Sequence, residues 1–255
     1  MIKIGFFDSG IGGLSILREV DNLLPSAQFY YLTDPKFMPY GNKRPEEILN
    51  RSSVLVEELL KEGCDHIVVA CNTATAIAID FLRQKYSEAL FIGVEPYVNV
   101  INKTPELEKP VLLLTESMAK TERFQRLKET LDPLKKIDVY PCRELATIAE
   151  RAFYEGVDGN LIKEIQAELA PLKEQGHTHA ILGCTHYNFL RDIIAEFLQL
   201  ECICPGDHVA KRVKSLIDSS GQKTSPRDGF HFKNIEQKNW QYWPKNNLYK
   251  VLACD

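Results

Sequence analysis

The sequence predicts an α/β fold: two similar parallel-sheet α/β domains related by pseudo-symmetry, with the site of action in the cleft between them. Three observations carry this expectation. Short apolar runs that end in turn or polar residues alternate with stretches of helical period, the pattern of a parallel sheet wrapped in helices. The stretch "HIVVACNTATA" (66–76) is echoed by "HAILGCTHYNF" (179–189), and the copies align without gaps: Gly63, His66, Val68, Val69, Ala70 and Cys71 against Gly176, His179, Ile181, Leu182, Gly183 and Cys184. The spacing between the copies is about the length of one small α/β domain.

The elements follow in chain order. Strands are expected at "IKIGFF" (2–7), "FYYLT" (29–33), "HIVVA" (66–70), "LFIGV" (90–94), "PVLLLT" (110–115), "IDVYP" (137–141), "HAILG" (179–183) and "ECICP" (201–205). Each is a short apolar run, rich in branched or aromatic residues, of the kind a sheet buries on both faces. Between them, "RPEEILNRSSVLVEELLKEG" opens at Pro45, carries Glu46 and Glu47 in its first turn and stops at Gly63, which reads as a helix. "GNLIKEIQAELAPLKEQG" repeats that shape, with a kink expected at Pro171 and a stop at Gly176. "GDHVAKRVKSLIDSSG" reads as a helix that returns to the first half, and the aromatic tail from Arg227 onward is weakly periodic and carries no functional signal. The domains are therefore expected to span 1–97 with 208–255, and 98–207.

Composition excludes several classes of function. In 255 residues, 44% of them hydrophobic, there is enough apolar material for two cores. No run approaches the ~20 apolar residues of a membrane span, and "MIKIGFFDSG" lacks the layout of a signal peptide, so a cytoplasmic protein without membrane contact is expected. A net charge of −4 with no basic stripe argues against a nucleic-acid partner. The 7 cysteines, Cys64, Cys71, Cys142, Cys184, Cys202, Cys204 and Cys254, are odd in number and scattered, as expected of reduced thiols. No C-x-x-C pair suggests zinc, and no metal is expected. Cys202 and Cys204, two residues apart, should project to opposite faces of a strand, one of them into the core.

A single strand-end cysteine is ordinarily core packing. The pair changes that balance, because Cys71 and Cys184 both end buried strands where open parallel sheets place their ligands. Both are followed by hydrogen-bonding residues, Asn72 and Thr73 in one copy and Thr185 and His186 in the other. The loop "FFDSGIGGLS" (6–15) joins them: Gly10, Gly12 and Gly13 imply a close approach of backbone, with neither the G-x-G-x-x-G spacing of a dinucleotide loop nor the G-K-[ST] of a P-loop. Asp34 is only a weak candidate for a dinucleotide acid. Asp8 and Ser9 fall at that strand end, where the carboxylate could orient a thiol, accept its proton, or serve only as a cap. "MPYG" (38–41) adds a turn whose amides suit a carboxylate. Two thiols, a carboxylate and neutral donors suit removal of a carbon-bound proton on one face and its return on the other. His186 is the cation or relay beside Cys184, whereas Cys71 has no such neighbour in sequence, and His66 and His179 fall at the far ends of their strands.

These motifs resemble those of the cofactor-independent aspartate/glutamate racemase family, and within it the glutamate racemases: "DSGIGG", "PYG", "ACNTA", "GVEP" and "GCTH" occur here in the family's order across residues 8–187. The resemblance implies a two-domain α/β fold and interconversion of L- and D-glutamate without pyridoxal phosphate, metal or other cofactor, supplying D-glutamate for peptidoglycan. Carried over position by position, Cys71 and Cys184 become the acid/base residues, with Asp8, His186 and Glu150 (in "TIAERAF") assisting. Asp8, Ser9, Pro39, Tyr40, Gly41, Asn72, Thr73, Thr115, Thr185 and His186 become the substrate ligands, and glutamate the small-molecule partner of a homodimer. The sequence departs from the family pattern at three places. Ser117 and Met118 follow Thr115 where Ala and Thr are usual, Asn188 replaces a Pro, and "CPGDH" replaces a later Asp-Ser pair. Loss of a hydroxyl at Met118 predicts weak racemisation of glutamate.

Three other readings compete. A racemase or isomerase of another small acid such as aspartate would share the fold. A diverged binding protein would have no need of matched thiols. A cysteine hydrolase using Cys184 and His186 would leave the repeat unexplained.

Overall fold

The computed structural model describes residues 2–104, 106–218 and 229–245. The chain divides into two compact units, Met1–Val94 with Gly206–Asp255, and Glu95–Pro205. All eight expected strands form, with ends shifted by a residue or two.

The first unit begins with β1 (Lys3–Asp8), α1 (Leu14–Leu23), β2 (Gln28–Thr33), α2 (Pro45–Lys61), β3 (His66–Val69), α3 (Asn72–Lys85) and β4 (Leu90–Gly93). β1 lies between β2 and β3, parallel to both, with Phe7 beside Leu32 and Val69. Its near-continuous burial explains its unbroken apolar run. α2 has Pro45 at its first turn, where a missing N–H costs nothing, and the chain leaves it through Gly63 at φ +78°, a left-handed conformation that favours glycine.

The second unit contains α4 (Val100–Lys103), β5 (Val111–Thr115), α5 (Glu116–Lys120), α6 (Glu122–Leu131), β6 (Asp138–Cys142), α7 (Leu145–Glu155), α8 (Gly159–Leu169), β7 (His179–Leu182), α9 (Arg191–Leu198) and β8 (Glu201–Ile203). Its sheet runs β6-β5-β7-β8, all parallel. The order β2-β1-β3-β4 in the first unit has the same form, so β3 and β7, which precede the two cysteines, are topological equivalents. α8 does not kink at Pro171 as expected. It ends at Leu169, and Ala170–Leu172 takes a short 3-10 turn, because proline cannot donate back along an α-helix and crowds the preceding turn.

The chain then returns to the first unit with α10 (Gly206–Asp218), which packs on α1. The weakly periodic tail holds two strands that sequence reasoning did not resolve. β9 (Gly229–Asn234) extends the first sheet parallel to β2, and β10 (Gln241–Pro244) pairs antiparallel with β9. Cys202 and Cys204 also differ from expectation: both are half-buried against the same core, because side chains two residues apart along an extended chain point to one face rather than to opposite ones. The described cysteines are all free thiols, and Cys254 lies outside the described residues. Among the described residues no helix is long and apolar enough to cross a membrane.

Candidate active site

Two clusters of polar side chains sit at the carboxyl ends of the equivalent strands, one in each unit. In the first, Cys71 caps α3, and its sulfur accepts the Ala74 N–H at 3.4 Å. The opening turn of a helix has N–H groups without helical partners, so negative charge on this sulfur is stabilised by backbone donors. Ser9 Oγ lies 4.0 Å from Cys71 Sγ and 3.3 Å from Asp8 Oδ1. The same Asp8 oxygen accepts the Gly10 N–H at 2.9 Å, and the carboxylate is fully buried. Asp8 is not the cap of α1, whose first turn is preceded by Gly13; it organises the loop ahead of that helix. Gly13 confirms the expected close approach: a Cβ there would fall 2.5 Å from the Ala70 Cβ.

Asn72 and Thr73, both buried, form the first turn of α3. Asn72 Nδ2 donates to the Val94 carbonyl at 3.1 Å, while its buried Oδ1 has no hydrogen-bond partner among the described residues. That leaves an acceptor beside Cys71. Pro39 and Gly41 flank Tyr40 in the short 3-10 turn Tyr40–Asn42. Tyr40 donates its hydroxyl to Asp34 Oδ2 at 2.8 Å, and Asp34 takes both arms of the Arg51 guanidinium at 2.7 Å each. Burial, then the Asp34 carboxylate, push the Tyr40 phenol well above its ordinary pKa, so it stays a neutral donor. Its hydroxyl is committed to Asp34. Sequence reasoning weighed Asp34 only as a nucleotide-binding acid and did not find Arg51.

In the second cluster Cys184 follows β7, and Thr185–Leu190 forms a 3-10 segment rather than the α-helix that follows Cys71. Cys184 Sγ lies 3.9 Å from His186 Nδ1, and His186 Nε2 lies 2.9 Å from Glu150 Oε1 of α7. Both members of the His186–Glu150 pair are almost closed to solvent. With Nε2–H donating to the carboxylate, Nδ1 is left as an acceptor facing the thiol. Thr185 is buried beside them, and Thr115, at the end of β5, accepts the Met118 N–H at 3.3 Å. Each thiol therefore has a different polar partner: helix N–H and Ser9 for Cys71, imidazole and carboxylate for Cys184. Thus Asp8, Ser9, Pro39, Tyr40, Gly41, Cys71, Asn72 and Thr73 belong to the first unit, and Thr115, Glu150, Cys184, Thr185 and His186 to the second.

His66 and His179 lie at the amino ends of β3 and β7, pairing with Asp65 at 2.6 Å and Glu201 at 3.8 Å, away from both thiols. Among the described residues no group of three or more His, Cys, Asp or Glu side chains could hold a metal ion.

Comparison with known proteins gives concordant results. The family model described as Asp/Glu/Hydantoin racemase matches residues 12–213. The glutamate racemase of Clostridium perfringens is 36% identical over 227 residues, covering 88% of this chain and 86% of that protein. The glutamate racemase of Pseudomonas aeruginosa is 34% identical over 231 residues, covering 88% and 86%. Among solved structures, glutamate racemase from Aquifex pyrophilus superposes with a TM-score of 0.70 at 27% identity, covering 98% of this chain and 95% of that one. Escherichia coli glutamate racemase, solved in complex with L-glutamate and the activator UDP-MurNAc-Ala, shares the fold with a TM-score of 0.83 at 24% identity, covering 98% and 92%.

Proposed function

The chain belongs to the Asp/Glu/Hydantoin racemase family, and from that membership we propose that it interconverts L- and D-glutamate by a two-base proton transfer in which Cys71 and Cys184 address opposite faces of one α-carbon. The observation that carries this reading is the pair of buried thiols on topologically equivalent strands, each with its own polar partner.

In this mechanism one cysteine is thiolate and the other thiol at the start of each turnover. The thiolate removes the α-proton from one face, and the opposite thiol delivers a proton to the other. The product leaves the two protonation states exchanged. Removal of Cys71's proton is favoured by the Ala74 N–H on its sulfur, with Asp8 and Ser9 ordering that side. His186 takes and returns the Cys184 proton through Nδ1, and Glu150 stabilises the imidazolium that results.

The bound amino acid requires an acceptor for its ammonium and donors for its carboxylates. Asn72 Oδ1 supplies the first; the hydroxyls of Ser9, Thr73, Thr115 and Thr185 and the backbone N–H groups of Tyr40 and Gly41, which follow the donorless Pro39, supply the second. Donors fixed before the substrate arrives stabilise charge that spreads from the α-carbon onto the carboxylate, and do so without reorganising. No cofactor takes part in these steps, and the D-glutamate formed serves peptidoglycan synthesis.

The test is racemisation of each enantiomer in deuterated water. Solvent deuterium should enter the product while recovered substrate stays nearly unlabelled at early times, and activity should survive exhaustive treatment with chelator and with hydroxylamine. Equal early labelling of both enantiomers would point to one exchanging base. Absence of any glutamate racemisation would refute the substrate assignment.

A further inference from the structure

The C-terminal hairpin takes no part in the steps above, yet a line of aromatic rings leads from it to the Asp8 loop. Trp243 of β10 stacks on Phe232 of β9 with ring centroids 4.2 Å apart and planes 15° from parallel. Phe232 in turn faces Tyr31 of β2, nearly parallel to it, at 5.9 Å. Tyr31 is fully buried, and its hydroxyl donates to the Gly10 carbonyl at 2.8 Å. Across the next peptide group back, the Gly10 N–H donates to Asp8 Oδ1. A Cβ at Gly13 would meet the same Tyr31 hydroxyl at 2.9 Å, so this oxygen is lodged against both Gly10 and Gly13 of the glycine loop.

We propose that Tyr31 is a positioning residue for the Cys71 half of the reaction: its hydroxyl fixes the Gly10 peptide, the Gly10 N–H fixes the Asp8 carboxylate, and the β9–β10 hairpin holds the Tyr31 ring. The proposal rests on Asp8 and Ser9 ordering Cys71. A carboxylate with a rotatable side chain is held most firmly when a backbone donor of fixed direction meets it, and that donor's direction is set by whatever grips the opposite side of the same residue. Gly10 lacks a side chain to anchor it, and the Tyr31 hydroxyl supplies the anchor. The hairpin thereby gains a role in the chemistry, although none of its residues belongs to either cluster.

Tyr30, next in the strand, provides the comparison. Its hydroxyl accepts from Gln28 Nε2 at 2.9 Å, and its ring stacks on His231 of the same hairpin. Tyr31→Phe keeps the ring and deletes only the hydroxyl. It should lower kcat about 10-fold, with KM changed less, as loss of one positioning hydrogen bond allows. Site-resolved alkylation with iodoacetamide, followed by mass spectrometry across pH, should show Cys71 reacting with an altered pH profile while Cys184 keeps the wild-type one. Tyr30→Phe should leave both kinetics and profiles unchanged, and Phe232→Leu should move them in the same direction as Tyr31→Phe but by less.

Wild-type kinetics and an unchanged Cys71 profile in Tyr31→Phe would overturn the proposal. So would equal losses in the Tyr30 and Tyr31 variants, or profiles of both cysteines shifting together, since a general loosening of the sheet would produce either. Failure of the underlying mechanism reads differently: the wild type would not racemise glutamate, or Asp8→Asn would match it. The alkylation profile tests Tyr31 in either case.

Discussion

Glu150 Oε1 stands 2.9 Å from His186 Nε2, behind the imidazole and on the side away from Cys184. That contact determines which nitrogen meets the thiol and places a negative charge where the imidazolium would form. Glu150→Gln keeps an acceptor oxygen and removes the charge, so kcat/KM should fall by about 10- to 100-fold, the worth of a hydrogen bond to a charged partner. The fall must be equal in the two directions, because enantiomers have the same free energy in water. The kcat values should fall unequally, since the proposed mechanism makes Cys184 the base in one direction and the acid in the other. Polarimetric progress curves started from each enantiomer provide the check, and unchanged constants would reduce the pair to a packing contact.

Replacing either thiol should stop the reaction. Cys71→Ala and Cys184→Ala are each expected to lose at least 10²- to 10⁴-fold in kcat, roughly the usual share of a general acid or base. Both cysteines are small and nearly buried, so a circular dichroism melt should show folded protein in each variant. Substantial racemisation left in either one would remove it from the mechanism.

How far the site could be read from sequence depends on how local each relationship is. Cys71 and Cys184 are legible because each ends a buried strand and is followed at once by polar residues, a pattern written twice. Glu150 is not legible in that way: it meets His186 only when α7 packs beside the segment after β7, and only the family resemblance singled it out. The Asp34–Arg51 pair joins the end of β2 to α2, so neither residue predicts the other. β9 and β10 were missed because β9 pairs with a strand nearly the whole chain away, and local aromatic periodicity does not report such pairing. Tyr31 reads as one more apolar strand residue until its hydroxyl is seen on Gly10.

The Arg51 guanidinium should matter more to stability than to chemistry. Asp34 is fully buried and Arg51 three-quarters so, and Arg51→Met would leave the carboxylate with Tyr40 as its remaining partner of the pair described. Breaking a buried ion pair on one side costs about 3 kcal/mol. Urea unfolding should show that loss, with an additional rise in KM if the Pro39–Tyr40–Gly41 turn shifts. A loss below about 1 kcal/mol, the level of a surface pair, would show that solvent already screens this contact.

The hairpin is pinned to α2 by Lys233, which is buried and pairs with Glu58. The hydrogen bond from Lys233 holds the Glu58 pKa below its ordinary value of 4.5. A carboxylate depressed in the folded state contributes stability that is present above its unfolded pKa and lost as pH falls through the folded one. Wild type should therefore exceed Glu58→Gln by about 1 kcal/mol near pH 7, a modest figure because the pair is partly solvated, and the gap should close on acidification below pH ~4.5. Urea melts of both proteins between neutral and acid pH measure the gap. A gap that stays constant across that range would assign the effect to packing rather than charge.

Met118 is the departure from the family pattern with the clearest consequence for specificity. Hydroxyls on both sides fix its turn: Thr115 Oγ1 accepts its N–H at 3.3 Å and Thr121 Oγ1 donates to its carbonyl at 2.9 Å. The side chain is 2% exposed, at the carboxyl end of β5 where Thr115 also lies. A threonine there would offer a donor to a carboxylate, whereas the thioether can only pack against methylenes. Met118→Thr should raise kcat/KM for glutamate about 10-fold relative to aspartate, while the smaller side chain costs roughly 2 kcal/mol of stability. The ratio between two substrates is measured within one variant, so the stability cost does not enter it. An unchanged ratio accompanied by that stability loss would show the Met118 side chain serving the core alone.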